Sequence, residues 1–142
     1  TAIAFDKIEF YLYNYNRINL LIKEREMQII DSINVSNKSW IKSLKGIGNT
    51  TEDQVIKLIE DNLINEYKEW QVFIKKILAF LYEHKPLYYK YLKLKYLLEK
   101  DNKEIMRALK INFEQLKILR IKLLTFIYKS ENKGKFELNM EE

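Results

Sequence analysis

The chain has 142 residues, of which 47% are hydrophobic and 13% aromatic, with a formal net charge of +5. This apolar content excludes a mostly disordered chain, and 3 glycines with 1 proline are too few for the tight turns of an all-β fold. The absence of cysteine excludes disulfides and thiolate chemistry, and no apolar run approaches the length of a membrane span. We therefore expect an all-α cytoplasmic protein without a membrane contact. Because it begins with Thr1, we also expect native residues before it.

Positive charge is concentrated in one part of the sequence. Residues 1–70 carry 9 Lys/Arg against 11 Asp/Glu, whereas residues 85–129 carry 12 against 4. The last stretch, 130–142, has 2 against 4 and is acidic. This distribution is typical of a chain in which one segment contacts a polyanion. It predicts a scaffold in residues 1–84, a nucleic-acid-binding region in 85–129 and a flexible tail in 130–142.

The first predicted helix covers residues 5–33. Its apolar residues recur at steps of three, four and seven, which is the period of an amphipathic helix. They are Ile8, Tyr11, Leu12, Tyr15, Ile18, Ile22, Ile29 and Ile33. Residues 34–49 hold two of the three glycines among Ser and Asn, and they predict an irregular connection.

A second long helix is predicted from Thr51 to His84. Thr51 and Gln54 have the spacing of a capping box, and Pro86 ends the helix because a proline disfavours the helical conformation for the residue before it. An amphipathic helix of this length cannot bury its apolar face alone. We therefore expect the long helices of residues 1–84 to pack on the rest of the chain or on a second copy, as in a homodimer.

The basic segment has the pattern of a helix-turn-helix. After a helix that begins at Pro86, Asn102 is predicted to cap a short helix with Ile105, Met106 and Leu109 facing inward. Residues 109–111 make the turn, at which Lys110 stands where glycine is common. Asn112, with Gln115 three residues later, completes a second capping box and starts the last helix. Two caps separated by one short helix are typical of a motif that presents its second helix to the major groove.

The last helix separates into a buried face and an exposed face. Leu116, Leu119, Leu123, Phe126 and Ile127 share the apolar side. On the other side, Lys and Arg suit phosphates or guanine, Gln suits adenine, Glu suits cytosine and Ile suits the thymine methyl. The residues predicted to contact DNA are Lys103, Arg107, Lys110, Asn112, Glu114, Gln115, Lys117, Ile118, Arg120, Ile121 and Lys122.

These residues carry a resemblance to two groups of proteins. The tyrosine-rich helix (Tyr88, Tyr91 and Tyr96), followed by Glu104-Ile105 and the last helix, resembles region four of sigma factors. The wider layout, with Ile8-Glu9 and Leu12 at the start and a helix start at Thr50-Thr51-Glu52, is similar to phage late-gene regulators of the RinA and ArpU type. The resemblance implies promoter binding and transcription activation, with double-stranded DNA and RNA polymerase as partners.

Two other functions remain open, a DNA-packaging subunit and a protein-binding adaptor. An enzyme is the weakest of the alternatives. A single histidine, His84, and the absence of a Gly-rich phosphate loop give no catalytic, cofactor or metal motif. A small terminase subunit for DNA packaging also combines a helix-turn-helix with oligomerising helices, although its DNA-binding unit usually comes first. A helical adaptor that binds only protein would use the aromatic-rich residues 67–96. A monomer or dimer in solution fits the regulator, and a ring of many copies fits the packaging subunit.

Overall fold

The structure is a computed structural model that describes residues 2–44 and 49–133, with side chains over 4–32, 52 and 55–132. Its elements are α1 (Ala2–Tyr13), a 3₁₀ turn (Tyr15–Arg17), α2 (Ile18–Leu44), α3 (Asn49–Glu60), α4 (Asn62–His84), α5 (Pro86–Leu92), a π-helical turn (Lys93–Leu97), α6 (Asn102–Leu109) and α7 (Phe113–Lys133). No strand occurs within these ranges, so the predicted all-α class is confirmed. Over the same ranges, no helix combines the length and the apolar content needed to cross a membrane.

The chain forms two compact units. Unit 1 combines Thr1–Asn16 with the chain from Gln71 onward, and unit 2 is Arg17–Trp70. In unit 1, α1 packs against α7 and the π-helical turn, while α5 contacts α6 and α7. The scaffold predicted for residues 1–84 is therefore divided between the two units, because its first helix packs with the C-terminal helices.

The predicted first helix is interrupted at Asn14. Asn14 makes two bonds to the carbonyl of Phe10, at 2.8 Å from its side-chain amide and 3.0 Å from its backbone N–H. Asparagine competes with the helical backbone in this way, and the 3₁₀ turn follows directly. The apolar stripe is nevertheless buried on both sides of the break, at Ile8, Tyr11, Leu12, Ile18, Ile22 and Ile29.

The connection predicted for residues 34–49 is helical over most of its length. Because no proline or glycine occurs before Gly46, α2 continues to Leu44, and α3 begins at Asn49. Residues 45–48 lie outside the described part of the chain. Since α3 begins at Asn49, Thr51 is already inside a helix, and the side chains of Thr51 and Gln54 lie outside the described residues.

The predicted helix from Thr51 to His84 is two helices, because Asp61 caps the second. The Asp61 carboxylate accepts a hydrogen bond from the Ile64 N–H at 2.9 Å, which satisfies a backbone donor at the start of α4. Arg25 of α2 donates two bonds to the same carboxylate, at 2.9 and 3.1 Å. These bonds from Arg25, together with the backbone bond, hold the pKa of Asp61 below its usual value. The apolar period continues across Asp61, so periodicity alone does not reveal the break.

The core of unit 1 lies around α7. Its buried residues include those predicted for the apolar face of this helix: Leu116, Leu119, Leu123, Phe126 and Ile127 are at most 5% exposed. α4 contributes Ile74, Ile77 and Leu81, and the segment after Pro86 contributes Tyr91, Leu92 and Tyr96. Each fully buried side chain of this size stabilises the folded state by about 1.5–3 kcal/mol relative to exposure.

Candidate nucleic-acid interface

The helix before the predicted motif begins and ends at defined residues. Pro86 is the first residue of α5, as predicted, where its missing N–H leaves no helical bond unmade. The π-helical turn continues α5, and Glu99 then takes a left-handed conformation with φ of 52°. The Lys100 N–H donates to the Leu94 carbonyl at 2.9 Å, a bond typical of helix C-termini closed by a left-handed residue.

The short helix α6 is capped by Asp101, so the prediction of Asn102 as its cap is wrong by one residue. Asp101 is extended, with ψ of 167°, and its carboxylate accepts from the Glu104 N–H at 2.8 Å. Asp and Asn are equally good caps. Because the two residues are adjacent here, the conformation of the preceding backbone decides which of them caps the helix. Ile105 is buried, whereas the other predicted inward residues, Met106 and Leu109, are half-buried.

The turn between α6 and α7 contains a strained lysine. Lys110 is left-handed, with φ of 57° and ψ of 49°, and the Ile111 N–H donates to the Met106 carbonyl at 3.1 Å. A residue with a Cβ atom pays roughly 1–2 kcal/mol for this conformation, and glycine pays almost nothing. The prediction that Lys110 occupies a glycine-like position is confirmed.

We expect Lys110→Gly to stabilise the protein by about 0.5–1 kcal/mol, because the gain in backbone conformation exceeds the entropy that glycine adds to the unfolded chain. Thermal unfolding followed by circular dichroism measures this change. Arg107→Gly is the matched control within α6, where glycine costs about 1 kcal/mol. A melting temperature lowered equally by both substitutions contradicts the strain at Lys110.

The start of α7 is fixed by the predicted capping box. The Gln115 N–H donates to the Asn112 side-chain oxygen at 2.8 Å, and the Asn112 N–H donates to Gln115 Oε1 at 2.9 Å. This reciprocal pair satisfies two backbone donors at the helix end. It also engages Gln115 Oε1, so the paired hydrogen bonds by which a glutamine reads adenine compete with the cap.

Ten of the predicted DNA contacts are exposed residues between positions 103 and 122, and we call this set the α6–α7 surface. Its members, all exposed, are Lys103, Arg107, Lys110, Asn112, Glu114, Gln115, Lys117, Ile118, Ile121 and Lys122. Within the described residues, four of its cations have no carboxylate partner: Lys103, Arg107, Lys110 and Lys122. Lys117 is 3.5 Å from Glu114, in a solvent-exposed pair of the kind that contributes little to stability.

Phe113 is a surface residue outside the set predicted from the sequence to contact DNA. It is the first residue of α7, is 49% exposed, and lies under the Lys117 ammonium at 4.8 Å from the ring centroid. This cation–π contact orients the Lys117 side chain over the first turn. The sequence could have identified Phe113 as a surface residue by its position next to the cap Asn112 and outside the apolar face of α7.

Arg120 differs from the other predicted contacts because it is held by Glu9 of α1. Arg120 donates two hydrogen bonds to the Glu9 carboxylate, at 2.6 and 3.1 Å, and the Tyr96 hydroxyl donates a third at 2.6 Å. The Glu9 and Arg120 side chains are 15% and 39% exposed. The structure therefore places Arg120 in an ion pair that ties α7 to α1.

The pKa values around this pair follow from burial and hydrogen bonding. Burial raises the pKa of Glu9, but the bonds from Arg120 and Tyr96 outweigh it, and the pKa lies below its usual value. The bond to Glu9 raises the pKa of Arg120, and burial raises the pKa of Tyr96. Glu9 is thus ionised at neutral pH and fully engaged by its partners. Nothing in the local sequence pattern indicates this contact, which joins residues 111 positions apart.

In comparisons with known proteins, no family model, no curated protein and no solved structure matches the chain.

Proposed function

We propose that this chain is a DNA-binding transcriptional regulator in which α7 enters the major groove and the α6–α7 surface contacts the duplex. One observation carries this proposal. The capped helix α7 follows a short helix and a tight left-handed turn, and it presents a face with Lys117 and Lys122 that takes no part in the core. A helix of about 12 Å diameter with its side chains fits the major groove, which is about 12 Å wide.

Electrostatics and rigidity support the same proposal. Residues 85–129 carry 12 Lys/Arg against 4 Asp/Glu, and this excess attracts phosphates without reading their sequence. The bonds from Arg120 to Glu9 fix α7 on α1, so the helix does not have to be ordered at the moment of binding. Elements held in this way bind with a smaller entropic cost.

The finer parts of the proposal rest on the resemblance to sigma region four and to phage regulators. They are sequence specificity, activation of phage or prophage genes, a cytoplasmic location and contact with RNA polymerase.

A homodimer is supported by α3, on which Val55, Ile56 and Ile59 are 49%, 50% and 67% exposed. The mass in solution tests the dimer, and a monomer at assay concentration contradicts it.

Duplex binding tests the central claim. A fluorescent random-sequence duplex titrated at low salt is expected to bind saturably, and repeated selection from a random pool is expected to enrich a motif. Lys117→Gln with Lys122→Gln should weaken binding roughly tenfold or more, since two phosphate contacts are removed. Lys75→Gln with Lys76→Gln on α4 is the matched control, because it removes the same charge from exposed residues outside 85–129. An absence of duplex binding at low salt contradicts the proposal.

A further inference from the structure

Two isoleucines lie at the centre of the exposed face of α7. Ile118 and Ile121 are each 52% exposed, although the core of unit 1 is already filled from the opposite side of the helix. Their spacing of three residues makes them neighbours on the helix surface. They form an apolar pair on a face that is otherwise mostly polar and charged.

Lysines border this pair on both sides. Lys117 lies one turn before Ile121, and Lys122 lies one turn after Ile118, so each isoleucine has an exposed cation as its neighbour. At about 3.6 residues per turn, the two lysines fall on opposite edges of the exposed arc and the isoleucines fall between them. An apolar centre with cationic edges matches the major groove, where base edges form the floor and phosphates form both rims.

We propose that Ile118 and Ile121 contact the C5-methyl groups of neighbouring thymines, so that the α6–α7 surface selects A·T pairs. This inference rests on the proposed DNA-binding function. The thymine methyl is the apolar group that unmodified bases present in the major groove, and it is the match for an exposed isoleucine there. Gln115 is less available to read adenine, because its Oε1 accepts from the Asn112 N–H at 2.9 Å.

The test compares two duplexes that differ only in thymine methyl groups. A pool with a randomised A·T-rich core is synthesised once with thymidine and once with deoxyuridine, which pairs identically and keeps the O4 acceptor. The protein is expected to bind the thymidine duplex more tightly, by about fourfold for each methyl group contacted. Equal affinity for the two pools overturns this inference alone, and it is also the result expected if the isoleucines bind a protein partner.

Two variants separate contact with the methyl group from an effect of uracil on DNA shape. Ile118→Ala with Ile121→Ala should lower affinity for the thymidine duplex to that for the uracil duplex, and leave the uracil duplex unaffected. Both residues are exposed and alanine favours helices, so circular dichroism should show an intact fold. Val72→Ala, at a 54% exposed residue of α4, should keep the full preference. A preference that survives the double substitution overturns the inference. If the unsubstituted protein binds neither duplex, the proposed function is overturned as well.

Discussion

Raising the salt concentration from about 50 to about 200 mM is expected to weaken duplex binding about 500-fold. Each phosphate that a cation neutralises releases condensed counterions, and the logarithm of the binding constant then falls with a slope of about −0.9 per contact. Five cations of the α6–α7 surface supply the contacts in this estimate: Lys103, Arg107, Lys110, Lys117 and Lys122. The expected slope is therefore about −4.5. Titrations by fluorescence anisotropy at several salt concentrations measure it directly.

Single substitutions show which cations contribute to the slope. Lys122→Gln is expected to reduce its magnitude by about 0.9, because one phosphate contact is lost. Lys76→Gln, at an exposed residue of α4, should leave it unchanged. A wild-type slope that corresponds to fewer than two contacts, or an equal effect of both variants, contradicts the assignment of phosphate binding to the α6–α7 surface.

Local signals in the sequence were sufficient to predict the starts of α5 and α7. Pro86 begins a helix, and Asn112 with Gln115 makes the reciprocal cap, because these residues act within one turn of the chain. The burial of Leu116, Leu119 and Leu123 follows from the 3.6-residue period, which also predicts the opposite face as exposed. For these elements, the interactions that decide the conformation are close in sequence.

The boundaries that the sequence did not predict depend on choices between similar signals. Asp61 ends one helix and caps the next although the apolar period continues across it, and its Arg25 partner is 36 residues away. Asp101 and Asn102 are both good caps, and the left-handed Glu99 precedes the one that is used. Periodicity describes which residues face the core, but it carries no information on where one helix gives way to another.

The same limit applies to Arg120, which lies at the edge of the exposed face by its position in the helix. Its interaction depends on the packing of α1 against α7, which no local pattern specifies.

Replacing Arg120 by alanine is expected to destabilise the protein by about 2 kcal/mol, since it leaves the Glu9 carboxylate without its two-bond partner. This is less than for a fully buried pair, because the Arg120 side chain is 39% exposed and partly screened.

Chemical unfolding of a small set of variants isolates this interaction. Arg120→Ala and Glu9→Gln should each lower the free energy of unfolding, and the double variant should lose less than their sum because no unpaired charge remains. Lys122→Ala on the same helix is the control and should change stability by less than about 0.5 kcal/mol, because Lys122 is exposed. Additive losses would mean that Glu9 and Arg120 contribute independently and that α1 is not tied to α7 through this pair.

The dependence of stability on pH provides a separate test of the same contact. The pKa of Glu9 is lower in the folded protein than in the unfolded chain, where it is about 4.3. The stability that Glu9 contributes is therefore fully present above this unfolded-state pKa and is lost as the pH falls through the lower, folded-state pKa. The difference in unfolding free energy between the wild type and Glu9→Gln should shrink as the pH is lowered below about 4.3. A difference that stays constant through this range would mean that Glu9 does not titrate with a depressed pKa, and that the Arg120 and Tyr96 bonds do not hold its charge.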